Sequence, residues 1–236
     1  MSRCFIFKQF TINDHGCGMP ISTDGVLLGA WAKLPQQGHI VDIGTGSGLL
    51  ALMAAQRTLA TTITAIELDS IAVAAATANF AASPWQSRLQ CIESDITHWC
   101  QHIPPASIDS IICNPPYFNA GQQAQQQHRA IARHTDTLSH QQLLATISHL
   151  LTPEGSANII LPAYEGQQLI NQASAYGLCC QRRCDVRSTE HKPFMRTLIQ
   201  LNKNCSITEP QQLCIHTKNA YSTDFIALTK DFYLKM

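Results

Sequence analysis

The chain has 236 residues, 45% of them apolar and 14% charged, with Lys plus Arg and Asp plus Glu balanced at 16 each. That apolar share builds a packed core and excludes global disorder, while zero net charge excludes a polybasic protein that holds nucleic acid by bulk attraction. The length suits one full-size domain, and a local basic patch still leaves nucleic acid open as a substrate.

Met1 to Phe10 mixes Arg3, Lys8 and Gln9 among its apolar residues, so no secretory signal is expected. Nor is there an apolar run of about 18 residues, so no membrane span is expected. The ten cysteines have neither the short secreted context of a disulfide framework nor a C-x-x-C pair. Cys179, Cys180 and Cys184 cluster without zinc spacing. Reduced thiols in a cytoplasmic protein, with no metal site and no obligate protein partner, are the expectation.

In chain order, Ser22 can cap a helix from about Asp24 to Lys33, with Val26, Leu27, Ala30 and Trp31 buried. From residue 38 short β-rich runs alternate with helical ones, the pattern of a parallel sheet with crossover helices. Strands are expected at His39 to Ile43, Thr62 to Ile66, Leu89 to Ile92, Ile108 to Cys113 and Ala157 to Leu161. Between them come helices at Gly48 to Arg57, Ser70 to about Ala82, and Leu138 to Leu151, the last stopped by Pro153 and Gly155. A helix at Tyr164 to Tyr176 follows, then strands Gly177 to Arg187 and Met195 to Leu201, which should pair antiparallel at the sheet's edge. The tail carries Phe225, Leu228 and Phe232 at helical spacing behind the possible caps Ser222 and Thr223. Gln122 to Gln127 is polar and featureless, which predicts a mobile loop. The chain thus divides into residues 1–37, a 38–203 core and a helical tail at 204–236.

Val41 to Gly48 (V-D-I-G-T-G-S-G) sits where the first core strand hands over to a helix. Glycines there let the backbone turn sharply toward a ligand, and the helix N-terminus offers free N–H groups. The spacing is Gly44, Gly46, Gly48, whereas the dinucleotide fingerprint would need glycine at position 49, which is Leu49. Glu67 ends the second strand, where an acid can hold the two ribose hydroxyls of an adenosine. This loop, preceded by Asp42 and followed by Glu67, resembles that of class I S-adenosyl-L-methionine-dependent methyltransferases. The resemblance implies a Rossmann-like α/β fold: a mostly parallel seven-stranded sheet, helices on both faces and an antiparallel last strand. It places an adenine contact at Asp95.

Asn114-Pro115-Pro116-Tyr117 follows the fourth strand directly, at the carboxyl end of a strand in an open parallel sheet, where ligands bind. A proline-rich loop that merely stops a strand is the plainer reading. N-P-P-Y at this place resembles the signature of methyltransferases that modify an adenine N6 or a glutamine side-chain amide. Such a nitrogen is a poor nucleophile because its lone pair is delocalised. The Asn114 side-chain oxygen and the Pro115 carbonyl can each accept one of its N–H groups and point the lone pair at a sulfonium methyl. Tyr117 offers a face to an extruded planar base.

Several families share the motif. Glutamine methyltransferases of release factors usually carry an extra helical domain ahead of the glycine loop, where this chain has about 40 residues. No segment suits a DNA target-recognition domain, and enzymes of ribosomal guanine N2 are commonly duplicated. The segments F-K-Q-F-T-I, M-P-I-S-T-D-G-V-L-L-G-A-W, N-P-P-Y-F and F-I-A-L-T-K-D-F-Y-L together resemble one bacterial family. It is the tRNA adenine-N6 methyltransferase family acting on the adenine 3′ of the anticodon of a valine tRNA. The resemblance places Thr23 and Asp24 over the cofactor, with helix capping as the alternative, and Pro116, Tyr117 and Phe118 beside the target base. For holding RNA, residues 178–203 carry Arg182, Arg183, Arg187, Lys192, Arg196 and Lys203 against Asp185 and Glu190. Arg129 and Arg133 lie at helical spacing after the glutamine segment. For each, a solvated charged face is the alternative. A noncatalytic nucleotide-binding domain is the rival from outside enzymes, and two preorganised amino-group acceptors count against it.

Overall fold

A computed structural model describes residues 3–17, 21–115, 138–204, 210–218 and 220–235. The first strands, β1 (Cys4–Ile6) and β2 (Thr11–Asn13), form an antiparallel pair of their own. Helix α1 (Thr23–Trp31) starts where Ser22 Oγ accepts the Gly25 N–H at 3.1 Å. The core then alternates β3 (Gln37–Ile43), α2 (Leu49–Arg57), β4 (Ala60–Glu67), α3 (Ser70–Ala81), β5 (Leu89–Glu93), α4 (Ile96–Trp99) and β6 (Ile108–Cys113). After it come α5 (His140–Leu150), β7 (Leu151–Pro162), α6 (Ala163–Ala173), β8 (Cys179–Thr189) and β9 (Arg196–Asn202). The described chain closes with β10 (Gln211–Thr217), β11 (Ala220–Tyr221) and α7 (Thr223–Thr229).

All strands from β3 onward join one sheet in the order β11-β10-β8-β9-β7-β6-β3-β4-β5. Strands β5, β4, β3, β6 and β7 run parallel, and β9 enters antiparallel between β7 and β8. This is the Rossmann-like sheet that the sequence implies, with two differences. It has nine strands rather than seven, and the β8–β9 pair is not its edge, because β10 pairs parallel to β8 and β11 caps β10. The tail at 204–236, expected to be helical, therefore puts two strands ahead of its helix. An open ladder on β8 supplies hydrogen-bond partners to a segment whose own pattern is weak.

Alternation along the strands divides the core in two. Ile40, Ile112, Ile160 and Leu198 face one apolar cluster that takes in α1, α2 and Phe225 and Phe232 of the tail. Val41, Ile111, Ile159 and Ile199 face the other, built on Leu143, Ile147 and Leu150 of α5 and Leu169 of α6. Helix α1 differs from the amphipathic expectation: every residue from Gly25 to Trp31 is buried, because it is wedged among α2, β7 and α7. Strand β7 begins six residues earlier than expected, so Pro153 and Gly155 lie inside it. The register shift between Ile108 and Ser110 of its partner accommodates them. Eight described cysteines are free thiols, but Cys179 is disulfide-bonded, which corrects the reading of all ten as reduced. Sequence spacing carries no record of which sulfurs the fold brings together.

One arginine ties the core crossover shut. Arg88 Nη2 donates to the Ala55 and Thr58 carbonyls at 2.7 and 3.2 Å, and Nη1 to the Thr61 carbonyl at 3.2 Å. It thus satisfies carbonyls at the end of α2 and the start of β4 with one planar fork. Arg88→Ala is expected to cost about 2–3 kcal/mol, lowering Tm by roughly 5–10 °C in thermal denaturation. Arg88→Lys, which keeps the charge without the fork, should recover less than half of that.

Candidate active site

The parallel registers bring four strand ends to one edge of the sheet. Ile43 pairs with Ile66 and with Cys113, Glu67 pairs with Glu93, and Cys113 with Ile159. The glycine loop, Glu67, Asp95 and Asn114 all leave from these ends, on the carboxyl edge where open α/β sheets bind ligands.

The glycine loop turns through Gly44, Gly46 and Gly48 at φ of 69°, 57° and 92°. A Cβ on Gly48 would lie 2.6 Å from Phe80 Cε1, whereas a Cβ on Gly44 would meet nothing within 4 Å. Gly48 is thus needed for packing, and Gly44 turns the chain beside open space. Asp42 braces the loop from beneath. Its Oδ2 accepts the Thr45 hydroxyl at 2.6 Å and the Ala51 N–H at 3.1 Å, while its buried Oδ1 has no partner. Burial pushes this carboxyl up to about 7, against the bonds from Thr45 and Ala51 and with help from the Glu67 charge.

Glu67 faces the same loop. Its Oε2 accepts the Gly46 N–H at 2.9 Å, and Oε1 accepts the N–H groups of Leu68 and Asp69 at 2.9 and 3.1 Å. Oε2 keeps a lone pair for a ligand hydroxyl. Asp95 caps α4 through Oδ1, which accepts the Thr97 N–H and hydroxyl at 2.6 and 2.5 Å. Partial burial raises its carboxyl, but those bonds and the His98 N–H outweigh it and hold the group below the usual range.

Asn114 is half-buried directly after β6, and its Oδ1 is buried with no hydrogen-bond partner. An amide oxygen left so costs free energy unless a ligand donor reaches it. Pro115, also buried, fixes the backbone beside it. Pro116, Tyr117, Phe118, Arg129, Arg133 and the Gln122 to Gln127 segment lie outside the described residues.

The structure separates the remaining expectations. Ser22, not Thr23 or Asp24, caps α1; Thr23 is exposed, and Asp24 Oδ2 accepts Arg196 Nε at 2.6 Å. Arg182 lies over the Trp31 ring at 4.3 Å and donates to Gln200 Oε1 at 3.0 Å. Arg183 pairs with Asp185 at 3.0 Å and donates to Gln167 Oε1 at 2.7 Å. Lys203 donates to the Leu151 carbonyl at 2.6 Å, at the far edge of the sheet. Mid-strand cations thus serve neighbouring strands and helices, and Lys192 stays exposed on the turn between β8 and β9.

Two participants escaped the sequence reading. Thr45, the anchor of Asp42, had a readable signal, a hydroxyl inside the glycine loop itself. Asn79, 2% exposed, donates through Nδ2 to the carbonyls of Ser47 and Asn13 at 2.9 Å and accepts the Asn13 N–H at 3.0 Å. It fastens the β1–β2 pair to the glycine loop, beside a cleft of about 250 Å³ lined by Arg3, Phe5, Ile12, Asp14, Ile21 and Ser47. Its signal was one carboxamide in an alanine-rich helix.

A glycine loop with a bracing acid, an acid ending the next strand and an orphaned asparagine acceptor, on this sheet, define a class I methyltransferase. The family model described as methyltransferase small domain matches residues 23–168. Over its whole length the chain is 59% identical to the tRNA1(Val) (adenine(37)-N6)-methyltransferase of Photobacterium profundum, covering 100% of that protein. It is 48% identical, again over its whole length, to the enzyme of the same name from Vibrio parahaemolyticus, covering 97% of it. The chain belongs to this family of small-domain tRNA1(Val) (adenine(37)-N6)-methyltransferases. The fold is shared with the crystal structure of TrmN from Thermus thermophilus at a TM-score of 0.57 and 21% identity, over 81% of this chain and 52% of that one. It is shared too with M. jannaschii TYW2 in complex with AdoMet, at 0.55 and 12%, over 85% and 84%.

The buried Asp42 makes stability depend on pH. Its folded value lies above the ordinary one, so its contribution is complete below about pH 4 and is lost as pH rises through about 7. Between pH 4 and 8 the wild type should lose on the order of 2–4 kcal/mol relative to Asp42→Asn, which keeps an oxygen for Thr45 and Ala51. Parallel Tm–pH curves for the two proteins would contradict this.

Proposed function

We propose that the protein transfers a methyl group from S-adenosyl-L-methionine to the exocyclic N6 of an adenine in tRNA, the base 3′ of the anticodon of a valine tRNA, in the cytoplasm. The observation that carries the reading is the partnerless, buried Asn114 Oδ1 at the end of β6, on the edge where the glycine loop turns. Membership of the family supports the substrate, and a fold neighbour solved with AdoMet supports the cofactor. Among the described residues no helix is long and apolar enough to cross a membrane.

The residues present fit the cofactor. Open space beside Gly44 gives it room, Asp42 Oδ1 is an acceptor lacking a donor, and Glu67 Oε2 retains a lone pair at the place a ribose would occupy. In this reading Gly44, Gly46 and Gly48 cradle the cofactor, Glu67 holds its ribose hydroxyls, Asp95 its adenine, and Thr23 and Asp24 cover it. When bound, it supplies an electrophilic methyl group on a sulfonium.

The chain's own work is orientation. Asn114 Oδ1 accepts one N–H of the target amino group and the Pro115 carbonyl the other, which turns the nitrogen lone pair out of conjugation and along the line of attack. Both acceptors gain strength as positive charge develops on nitrogen, so they bind the transition state more tightly than the ground state. A general base is not required for the transfer, because the nitrogen becomes acidic only once methylated; its proton then leaves to solvent. Pro116, Tyr117 and Phe118 are assigned to the flanks of the extruded base.

Nucleoside mass spectrometry on unmodified bacterial tRNA incubated with protein and S-adenosyl-L-methionine should detect new N6-methyladenosine. Asn114→Ala should lose about 3 kcal/mol of transition-state stabilisation, a hundredfold or more in kcat, while Asn114→Asp keeps part of the activity. Equal rates for wild type and Asn114→Ala would sink the mechanism, and methylation of a protein glutamine in place of tRNA would sink the substrate. Glu67→Ala should weaken thermal stabilisation by S-adenosylhomocysteine, and an unchanged shift would remove Glu67 from the cofactor site.

A further inference from the structure

A tRNA that presents one base at Asn114 must be held on both sides of it, and among the described residues Arg182, Arg183, Arg196 and Lys203 already bond to other parts of the fold. The carboxyl edge continues past Asn114 in a direction the registers define. Cys113 pairs with Ile159, so β7 runs on beyond β6 to Pro162. Pro162 pairs in turn with Arg196, and Arg196 with Val186, so the turn between β8 and β9 stands on the same edge. The Ala163 N–H donates to the Met195 carbonyl at 3.1 Å, and the Met195 N–H to the Val186 carbonyl at 2.9 Å, which pins that turn to the start of α6.

This ledge carries side chains that the fold leaves unspent. Tyr164, the second residue of α6, is 72% exposed, and Met195 beside it is 51% exposed. Among the described residues the other exposed aromatics, Phe5 and Tyr221, are less open, at 36% and 46%. Lys192 is exposed at the turn. Arg187 lies with its guanidinium carbon 5.3 Å over the Phe194 ring, and its Nη1 donates to the Glu190 carbonyl at 3.0 Å. Those contacts hold the guanidinium against the protein, with its Nε buried and without an acceptor. The acids nearby include Glu190, on the turn itself, Glu165, which interacts with His140, and Asp24, which is paired with Arg196.

We propose that this ledge is the platform for the single-stranded RNA flanking the target nucleotide, with Tyr164 stacking on a neighbouring base and Lys192 holding a phosphate. The proposal rests on the tRNA reading above and adds to it the surface that receives the loop. Its chemistry is that of unpaired RNA: an aromatic face accepts any base, and a few cations track the backbone without strong nonspecific attraction. Strand spacing of about 4.8 Å puts the end of β8 roughly 14 Å from that of β6, so the platform lies beside the reacting base and not under it.

Steady-state methylation of tRNA at saturating S-adenosyl-L-methionine tests it, with tRNA affinity measured across a salt series. Tyr164→Ala should raise KM for tRNA roughly tenfold, with the loss falling on KM rather than kcat, and Tyr164→Phe should restore the wild-type value because the ring is what stacks. Lys192→Ala should lower the slope of log affinity against log salt by about one phosphate. Both variants should keep the wild-type stabilisation by S-adenosylhomocysteine, the sign that the fold is intact. Tyr164→Ala and Lys192→Ala proteins that bind and methylate tRNA like the wild type would overturn the platform alone. Equal impairment in Tyr164→Phe and Tyr164→Ala would overturn the stacking role. A wild-type protein that neither binds nor methylates tRNA would overturn the functional reading and the platform with it.

Discussion

The buried carboxylate of Asp42 organises the site. It sits at the end of β3 and gathers the Thr45 hydroxyl and the Ala51 N–H, so one side chain fixes both the turn and the first turn of α2. A carboxylate in an apolar interior is costly, and the structure lessens that cost with two bonds while leaving Oδ1 without a partner. The neighbouring Glu67 charge adds to the cost, which places two acids around one glycine loop. Asn114 Oδ1, a strand away, is likewise buried without a hydrogen-bond partner.

Around that loop, two contacts join segments remote in sequence. Asn79 of α3 ties it to β2, and the Asp24–Arg196 pair ties the start of α1 to the start of β9. These contacts span 66 and 172 residues, so the N-terminal segment is held at both flanks of the loop by parts of the chain that fold far from it. Arg196 thereby links the segment assigned to the cofactor with the ledge assigned to RNA. The surroundings of the glycine loop are thus set by tertiary contacts and not by local sequence.

The cations show how a strand distributes side chains between its two faces. A surplus of positive charge over residues 178–203 reads as a nucleic-acid patch, yet alternation along β8 sends Arg182 to Trp31 on one face and Arg183 to Gln167 on the other. Each then serves as packing as much as charge. Lys192, on the turn between the strands, stays exposed because a turn has no opposing layer.

By itself the sequence determined the alternation of strands and helices from residue 38 to 202, the glycine loop, the acid after the second strand and the asparagine at the end of the fourth. These are local patterns, set by side-chain periodicity and turn chemistry within a few residues, and they remain legible without the fold. Tertiary structure alone decided the rest: the enclosure of α1 on all sides, the extension of the sheet by β10 and β11, the disulfide at Cys179, and the partners of Arg182, Arg183 and Arg196. Each of these depends on which distant segment arrives beside it, and a hydrogen-bond donor, a sulfur or an apolar stripe carries no mark in sequence of the group that will meet it.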